Sequence, residues 1–288
     1  MHVNTQDPRF TQRSFAGFTL IEVLIGLVLT AVVAGIGLRV FLRQHWTGVA
    51  QAETVAVQNA LRGGMLFLTT ELRELGGTFG DPDILAFAPE SLTYRAMRGT
   101  GRSCARTYNT IVLDSASFAS YRSLQAGRDH LLLHREGMEH TAGDDRWLNL
   151  PLLSLGTGSC FSGAGLVLGT TPDSGLVDST AFGALAPVRV FEVMQVKLYQ
   201  SGGEYWLGAR SVSAGETIQP LIGPLTSLGL SLSYQDSTGA STTQAGDIRT
   251  IGIALRATST LPARSAGGFG GPQRRVDSLT TLVALRNW

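Results

Sequence analysis

Residues 18–38 read Phe-Thr-Leu-Ile-Glu-Val-Leu-Ile-Gly-Leu-Val-Leu-Thr-Ala-Val-Val-Ala-Gly-Ile-Gly-Leu, an apolar run with a single charge, Glu22. As an α-helix this run is about 32 Å long, enough to cross a hydrocarbon core of about 30 Å. No other stretch of the 288 residues is as long and as apolar. The chain is therefore expected to have one membrane segment near its N-terminus and roughly 250 residues outside the lipid, enough for a large buried core.

Glu22 separates the explanations of this run. A cleaved secretory signal has a shorter apolar stretch followed by a small-x-small site, whereas here the run continues into Arg39 and Arg43 with no such site. A plain signal anchor accounts for the length and leaves the carboxylate unexplained. An ionisable group in a membrane helix costs roughly 2.5–3.5 kcal/mol even on a lenient scale. The nearest cation along the helix, Arg39, lies over ~20 Å away.

A third reading supplies a partner. The string Gly17-Phe18-Thr19-Leu20-Ile21-Glu22 resembles the type III signal of type IV prepilins. That resemblance implies cutting by a prepilin peptidase on the cytoplasmic side after Gly17 and N-methylation of Phe18. It also implies that Glu22 pairs with the N-terminal amine of a neighbouring subunit, so that two charges costly in lipid offset one another. The family usually has a basic residue directly before the glycine; here Phe15 and Ala16 follow Arg13. Arginines flank both ends of the run, so charge bias does not orient it; the leader-inside orientation comes from the resemblance. Loss of residues 1–17 removes Arg9, Arg13 and Asp7, which takes the net charge from +1 to zero.

No proline occurs between Pro8 and Pro82, so the helix can continue beyond the membrane. Val57, Leu61, Met65, Leu68, Leu72 and Leu75 recur at steps of three or four, one apolar stripe. The helix is expected to run from Phe18 to Leu75 and to end at a glycine C-cap, Gly76-Gly77. The prepilin resemblance implies a segment near the membrane exit that can melt on assembly, for which Gly35 and Gly37 are the candidates; the alternative is close packing of small residues. After Gly77 the period changes to two. Strands are expected at 91–96, 110–114, 129–134, 166–168, 188–199, 204–210, 228–235, 251–255 and 279–285, with a hairpin at Ser201-Gly202-Gly203 and a loop at 266–272.

The expected fold is α+β and pilin-like: a long N-terminal helix, transmembrane in its first half, packed on an antiparallel β-sheet domain. Residues 1–17 would be leader, 18–38 membrane span, 39–76 the periplasmic half of the helix and 77–288 the globular domain. The end of the chain, from Arg275-Val276 to Asn287, resembles the C-terminus of PilW-type minor pilins, as do shorter stretches at 127–133 and 228–239. Those downstream stretches are also similar to J-type minor pseudopilins of type II secretion. The PilW-type resemblance implies an inner-membrane protein with a periplasmic domain that joins a pilus tip complex. Its implied partners are the peptidase, other minor pilins, the major pilin, the inner-membrane assembly platform, a tip adhesin and inner-membrane lipid.

Chemistry beyond assembly has little support. An exported domain meets an oxidising compartment, so Cys104 and Cys160 are expected to form a disulfide, with two thiols too far apart to join as the alternative. His130, His134 and His140 with Asp129, Glu136 and Glu139 form the one dense set of metal-ligand types, read as a strand edge and polar turn rather than a metal site. Arg95, Arg98, Arg102 and Arg106 recur at steps of three or four. Gly99 and Gly101 argue against a helix there and no aromatics interleave, so they are read as a solvated or partner-facing set rather than a nucleic-acid patch. No Gly-x-Ser-x-Gly elbow or His-Glu-x-x-His occurs, and Lys197, the sole lysine, follows a valine, which excludes a Walker A loop. No cofactor and no enzymatic activity are expected. The rival classes are a membrane-anchored enzyme, with an uncut Gly17-Phe18 bond, and an adhesin or DNA receptor that binds through its soluble domain.

Overall fold

A computed structural model describes residues 17–78, 81–136, 145–177, 185–262 and 273–286. The proline-free stretch forms one helix, α1 (Leu20–Arg73), about 81 Å long. Its first half stands clear of the rest of the molecule; Phe18 to Trp46 are exposed throughout. In its second half Val57, Leu61, Met65, Leu68 and Leu72 are buried against the sheet. At about 1.5–3 kcal/mol for each such side chain, this stripe stabilises the docked helix by on the order of 10 kcal/mol. Gly64 belongs to the same stripe: a Cβ there would come within 2.9 Å of Leu255 Cδ1 and 3.4 Å of Ile222, so its bare backbone lets the helix lie close to the sheet.

Among the described residues fifteen strands follow: β1 (Gly77–Thr78), β2 (Asp81–Pro82), β3 (Ile84–Ala88), β4 (Ser91–Thr107), β5 (Thr110–Asp114), β6 (Ala119–Ser120), β7 (His130–Arg135), β8 (Arg146–Pro151), β9 (Ser154–Cys160), β10 (Gly163–Gly169), β11 (Pro187–Ser201), β12 (Glu204–Ser211), β13 (Gln219–Gln235), β14 (Thr250–Thr258) and β15 (Val276–Ala284). All pairings are antiparallel. The long strands β4 and β11 pair with each other from Pro187↔Arg102 to Lys197↔Ser91 and form the spine. Near the helix the sheet runs β15-β14-β13-β12-β11-β4-β3. Here Leu230, Leu232, Tyr234, Ile251, Ile253 and Leu255 meet α1 in the first core.

At the other end of the spine, β11 pairs with β7 and β4 with β5. The amides of Leu152 and Leu153, between β8 and β9, point to opposite edges: one bonds Asp129 O beside β7, the next bonds Gly169 O on β10. That closes a hydrogen-bonded circuit through β11, β4, β5, β10, β9, β8 and β7. It encloses the second core, which includes Ile111, Leu113, Leu131, Leu133, Leu168, Val188 and Val190.

The α+β layout is as expected, and several boundaries differ. The helix begins at Leu20 rather than Phe18 and ends at Arg73, with Glu74 as its C-cap in right-handed geometry. Leu75 follows the cap and is buried, and the Gly76 amide donates to Asp83 Oδ2 at 3.0 Å. A buried leucine with a side-chain acceptor for the next amide replaces the expected glycine cap. The predicted hairpin is present, with Gly202 (φ 61°) and Gly203 (φ 81°) in the left-handed conformation that this turn demands. The helix is unbroken through Gly35 and Gly37. The expected loop at 266–272 lies outside the described residues.

Candidate functional site

Gly17, Phe18 and Thr19 precede the helix as non-helical backbone. Thr19 is the N-cap: it is extended (φ −76°, ψ 149°), and its Oγ1 accepts from the Glu22 amide at 3.3 Å. Thr-x-x-Glu is the spacing of a capping box, in which threonine serves the third helical amide. Glu22 thereby stands in the first turn, beside the unpaired amides and the positive end of the helix dipole, which favour an acidic side chain. The helix thus offers its carboxylate a partial local partner that the charge spacing alone did not reveal. Gly17 is held by none of its own surroundings. It has no left-handed φ, and a Cβ built on it would meet nothing within 4 Å, so neither backbone conformation nor packing among the described residues requires glycine.

The apolar side chains around and beyond Glu22 turn outward on every face. Leu20, Leu24, Ile25, Leu27, Val28, Leu29, Val32, Val33, Ile36 and Leu38 are all at least half exposed. A helix hydrophobic all round needs an apolar surrounding, and a bilayer or a bundle of like helices supplies one.

Residues 12–38 match the prokaryotic N-terminal methylation motif. No curated protein and no solved structure matches the chain. This motif belongs to type IV pilin-like prepilins and to pseudopilins, and it implies processing by a prepilin peptidase and assembly with pilin machinery. It indicates a structural protein, anchored by its N-terminal helix with a folded domain beyond.

A second group of functional side chains lies where the two cores meet. Along one edge of β11, Phe191 is the last residue to pair with β7 and Met194 the first to pair with β12. Glu192 falls in this fork and is buried. Arg98 Nε and Arg122 Nη2 each donate to its Oε2 at 3.0 Å, and Arg128 Nε donates to its Oε1. Each arginine has a further carboxylate: Glu71 of α1 for Arg98, Asp129 for Arg122 and Glu216 for Arg128. Burial pushes the Glu192 carboxyl up. Hydrogen bonds from Ser211, Arg98 and Arg122 outweigh it and hold the group down at about 2. The cluster ties the end of α1 to both cores. The sequence carries one sign of it, a glutamate inside the otherwise apolar Val190-Phe191-Glu192-Val193-Met194.

The remaining expectations divide. Cys104 of β4 and Cys160 of β9 are disulfide-bonded, with Cα atoms 5.7 Å apart. Arg95 and Arg98 are not a solvated set: Arg95 is buried and pairs with Asp81 at 2.8 Å, and Arg98 is drawn into the Glu192 cluster. They lie on a strand threaded between the cores, where Arg98 compensates the buried Glu192 and Arg95 reaches out to the more open Asp81. Arg102 is exposed, and Arg106 donates to Ser103 Oγ at 2.9 Å. His130 stacks on Phe191, with ring centroids 5.3 Å apart, and burial lowers its pKa. His134 contacts Trp147 and Asp145. The Asp129 carboxylate is taken by Arg122 and by the Gln125 amide. Glu139 and His140 lie outside the described residues, among which no three candidate ligands converge on a metal position.

Proposed function

We propose that this chain is a PilW-type minor pilin of a type IV pilus, made as an inner-membrane prepilin. In this reading residues 1–17 are a leader removed between Gly17 and Phe18, and Phe18 becomes the N-methylated first residue. Residues 18–38 cross the inner membrane, residues 39–76 continue the helix into the periplasm, and residues 77–288 fold there. Glu22 pairs with the N-terminal amine of a neighbouring subunit when helices bundle. The supporting observation is the methylation motif leading directly into a helix that is apolar and exposed on every face, then docked on a sheet. That combination suits a subunit exchanged from a bilayer into a bundle of like helices. The large two-core domain suits a place in a tip complex that primes assembly with other minor pilins, the major pilin, the assembly platform and a tip adhesin. A J-type minor pseudopilin of type II secretion is the second reading, since the same motif serves both machines.

The deciding experiment is the intact mass and N-terminal sequence of the membrane-extracted protein, with and without its prepilin peptidase. A chain starting at N-methyl-Phe18 only when the peptidase is present supports the reading. A chain starting at Met1 in both cases overturns it. Because packing makes no demand on Gly17, Gly17→Val should accumulate as uncut, folded prepilin.

A further inference from the structure

Arg39 and Arg43 are exposed where the apolar run ends, and Trp46 follows. No aspartate or glutamate occurs between Glu22 and Glu53. The nearer of those two, Glu53, lies about 15 Å along the helix from Arg43 and is occupied, since its Oε2 accepts the amides of Thr260 (2.8 Å) and Leu261 (3.3 Å). A pair of cations therefore stands at the end of the span without a carboxylate from its own helix.

Their direction is set by the helix. At 100° per residue Arg39, Arg43 and Trp46 fall within an arc of about 60°. Counting on along α1, Val57, Leu61, Gly64, Leu68 and Leu72 fall close to that same arc, and these residues dock on the sheet. The folded domain thus overhangs the side of the helix from which both guanidiniums and the indole project. Glu53 holds the near edge of the described domain, at 260–261, about 22 Å along the helix beyond the end of the span. Among the described residues this leaves a recess with the helix as wall and the domain as roof, whose floor is the bilayer surface.

We propose that Arg39, Arg43 and Trp46 form a headgroup site for anionic phospholipid on the domain side of the helix. The site rests on the membrane orientation proposed above, which puts it at the outward-facing leaflet. An indole at the headgroup level beside cations is the arrangement that suits a membrane interface, and arginines in it gain from anionic lipid. Two arginines at the outward end run against the usual bias of positive charge towards the cytoplasm; a lipid phosphate gives them a partner there. Bound in this way, the helix has a fixed depth, and its domain is held at one height above the membrane before assembly.

The test uses the mature full chain in nanodiscs of mixed phosphatidylglycerol and phosphatidylcholine, with retained lipids counted by native mass spectrometry. Wild type is expected to keep phosphatidylglycerol preferentially, by up to about thirtyfold for two arginines near the surface. R39Q/R43Q should lose this preference. R62Q/R73Q, which removes equal charge from exposed helix positions off the stripe, should keep it. Equal retention in wild type and R39Q/R43Q overturns the proposal, as does equal loss in both variants, which would make the effect one of net charge. Wild type without lipid preference whose R39Q/R43Q form fails to enter filaments also overturns it, in favour of a carboxylate on a neighbouring subunit. A chain that never enters the disc overturns the membrane reading together with this site. One that enters without lipid preference overturns the site alone.

Discussion

Glu192→Gln keeps the shape of the side chain and removes its charge from the midst of three guanidiniums. The magnitude follows from the position of the carboxyl: held at about 2 against its ordinary 4.5, it contributes about 3 kcal/mol to the folded state at neutral pH. Breaking a buried ionic cluster by removing one partner costs a similar ~3–5 kcal/mol. Because the folded pKa is depressed, this contribution is fully present above pH ~4.5 and is lost as pH falls towards about 2. The assay is denaturant unfolding of the detergent-solubilised chain, followed by the near-ultraviolet circular dichroism of its sheet domain, for wild type and E192Q from pH 7 down to pH ~2. The gap between them should be about 3 kcal/mol at pH 7 and should shrink progressively below pH ~4.5, since protonated glutamate and glutamine are then nearly equivalent. A gap that stays constant across this range, or one below ~1 kcal/mol at pH 7, would refute the argument that the three arginines hold the carboxylate charged.

Three further outcomes are expected. Glu22→Ala should be cut by the peptidase at the wild-type rate yet enter filaments poorly, measured by immunoblot of sheared pili; unimpaired entry would remove its pairing role. Reducing the Cys104–Cys160 bond, which closes a loop with a sequence separation of 56, should cost about 4 kcal/mol on the chain-entropy account, read as a lower denaturation midpoint in dithiothreitol with no change in C104S/C160S. Leu68→Ala, at a fully buried position on α1, should destabilise the domain by about 2–5 kcal/mol. Leu66→Ala, two residues away and 69% exposed, should change it by less than ~0.5 kcal/mol.

What could be read from the sequence was what depends on near neighbours. The stripe from Val57 to Leu72 has helical period and is the buried face; Thr110–Asp114 alternates and is a strand over that same range; Ser201-Gly202-Gly203 turns where its glycines permit. Strand β9, Ser-Leu-Gly-Thr-Gly-Ser-Cys, carries no such signal, because it is exposed along nearly its whole length and its inner positions are glycines. A Cβ on Gly158 would stand 2.7 Å from Val167, so the apolar side chains on that face come from the neighbouring strand. The Glu192 cluster was hidden for another reason. Its members come from α1, β4, β11, β12 and two loops, and only the completed topology brings them to one point. The methylation motif is local and could be read directly; the Thr19-x-x-Glu22 spacing is just as local, but its capping role is missed when charge partners alone are weighed.

The spine of β4 and β11 has a mechanical consequence. Strand β11 contributes to both cores, and β4, paired along it, runs from the first core to β5 of the circuit around the second, so a pull between the anchored helix and that circuit is directed along them. Their ladder is then loaded in shear, with its hydrogen bonds resisting together, whereas a pull across the strands would break them one at a time. Neither half of the domain can be drawn away from the other without tearing the strands they share. The molecule is therefore built to pass tension from a membrane anchor to its distal end as one stiff link.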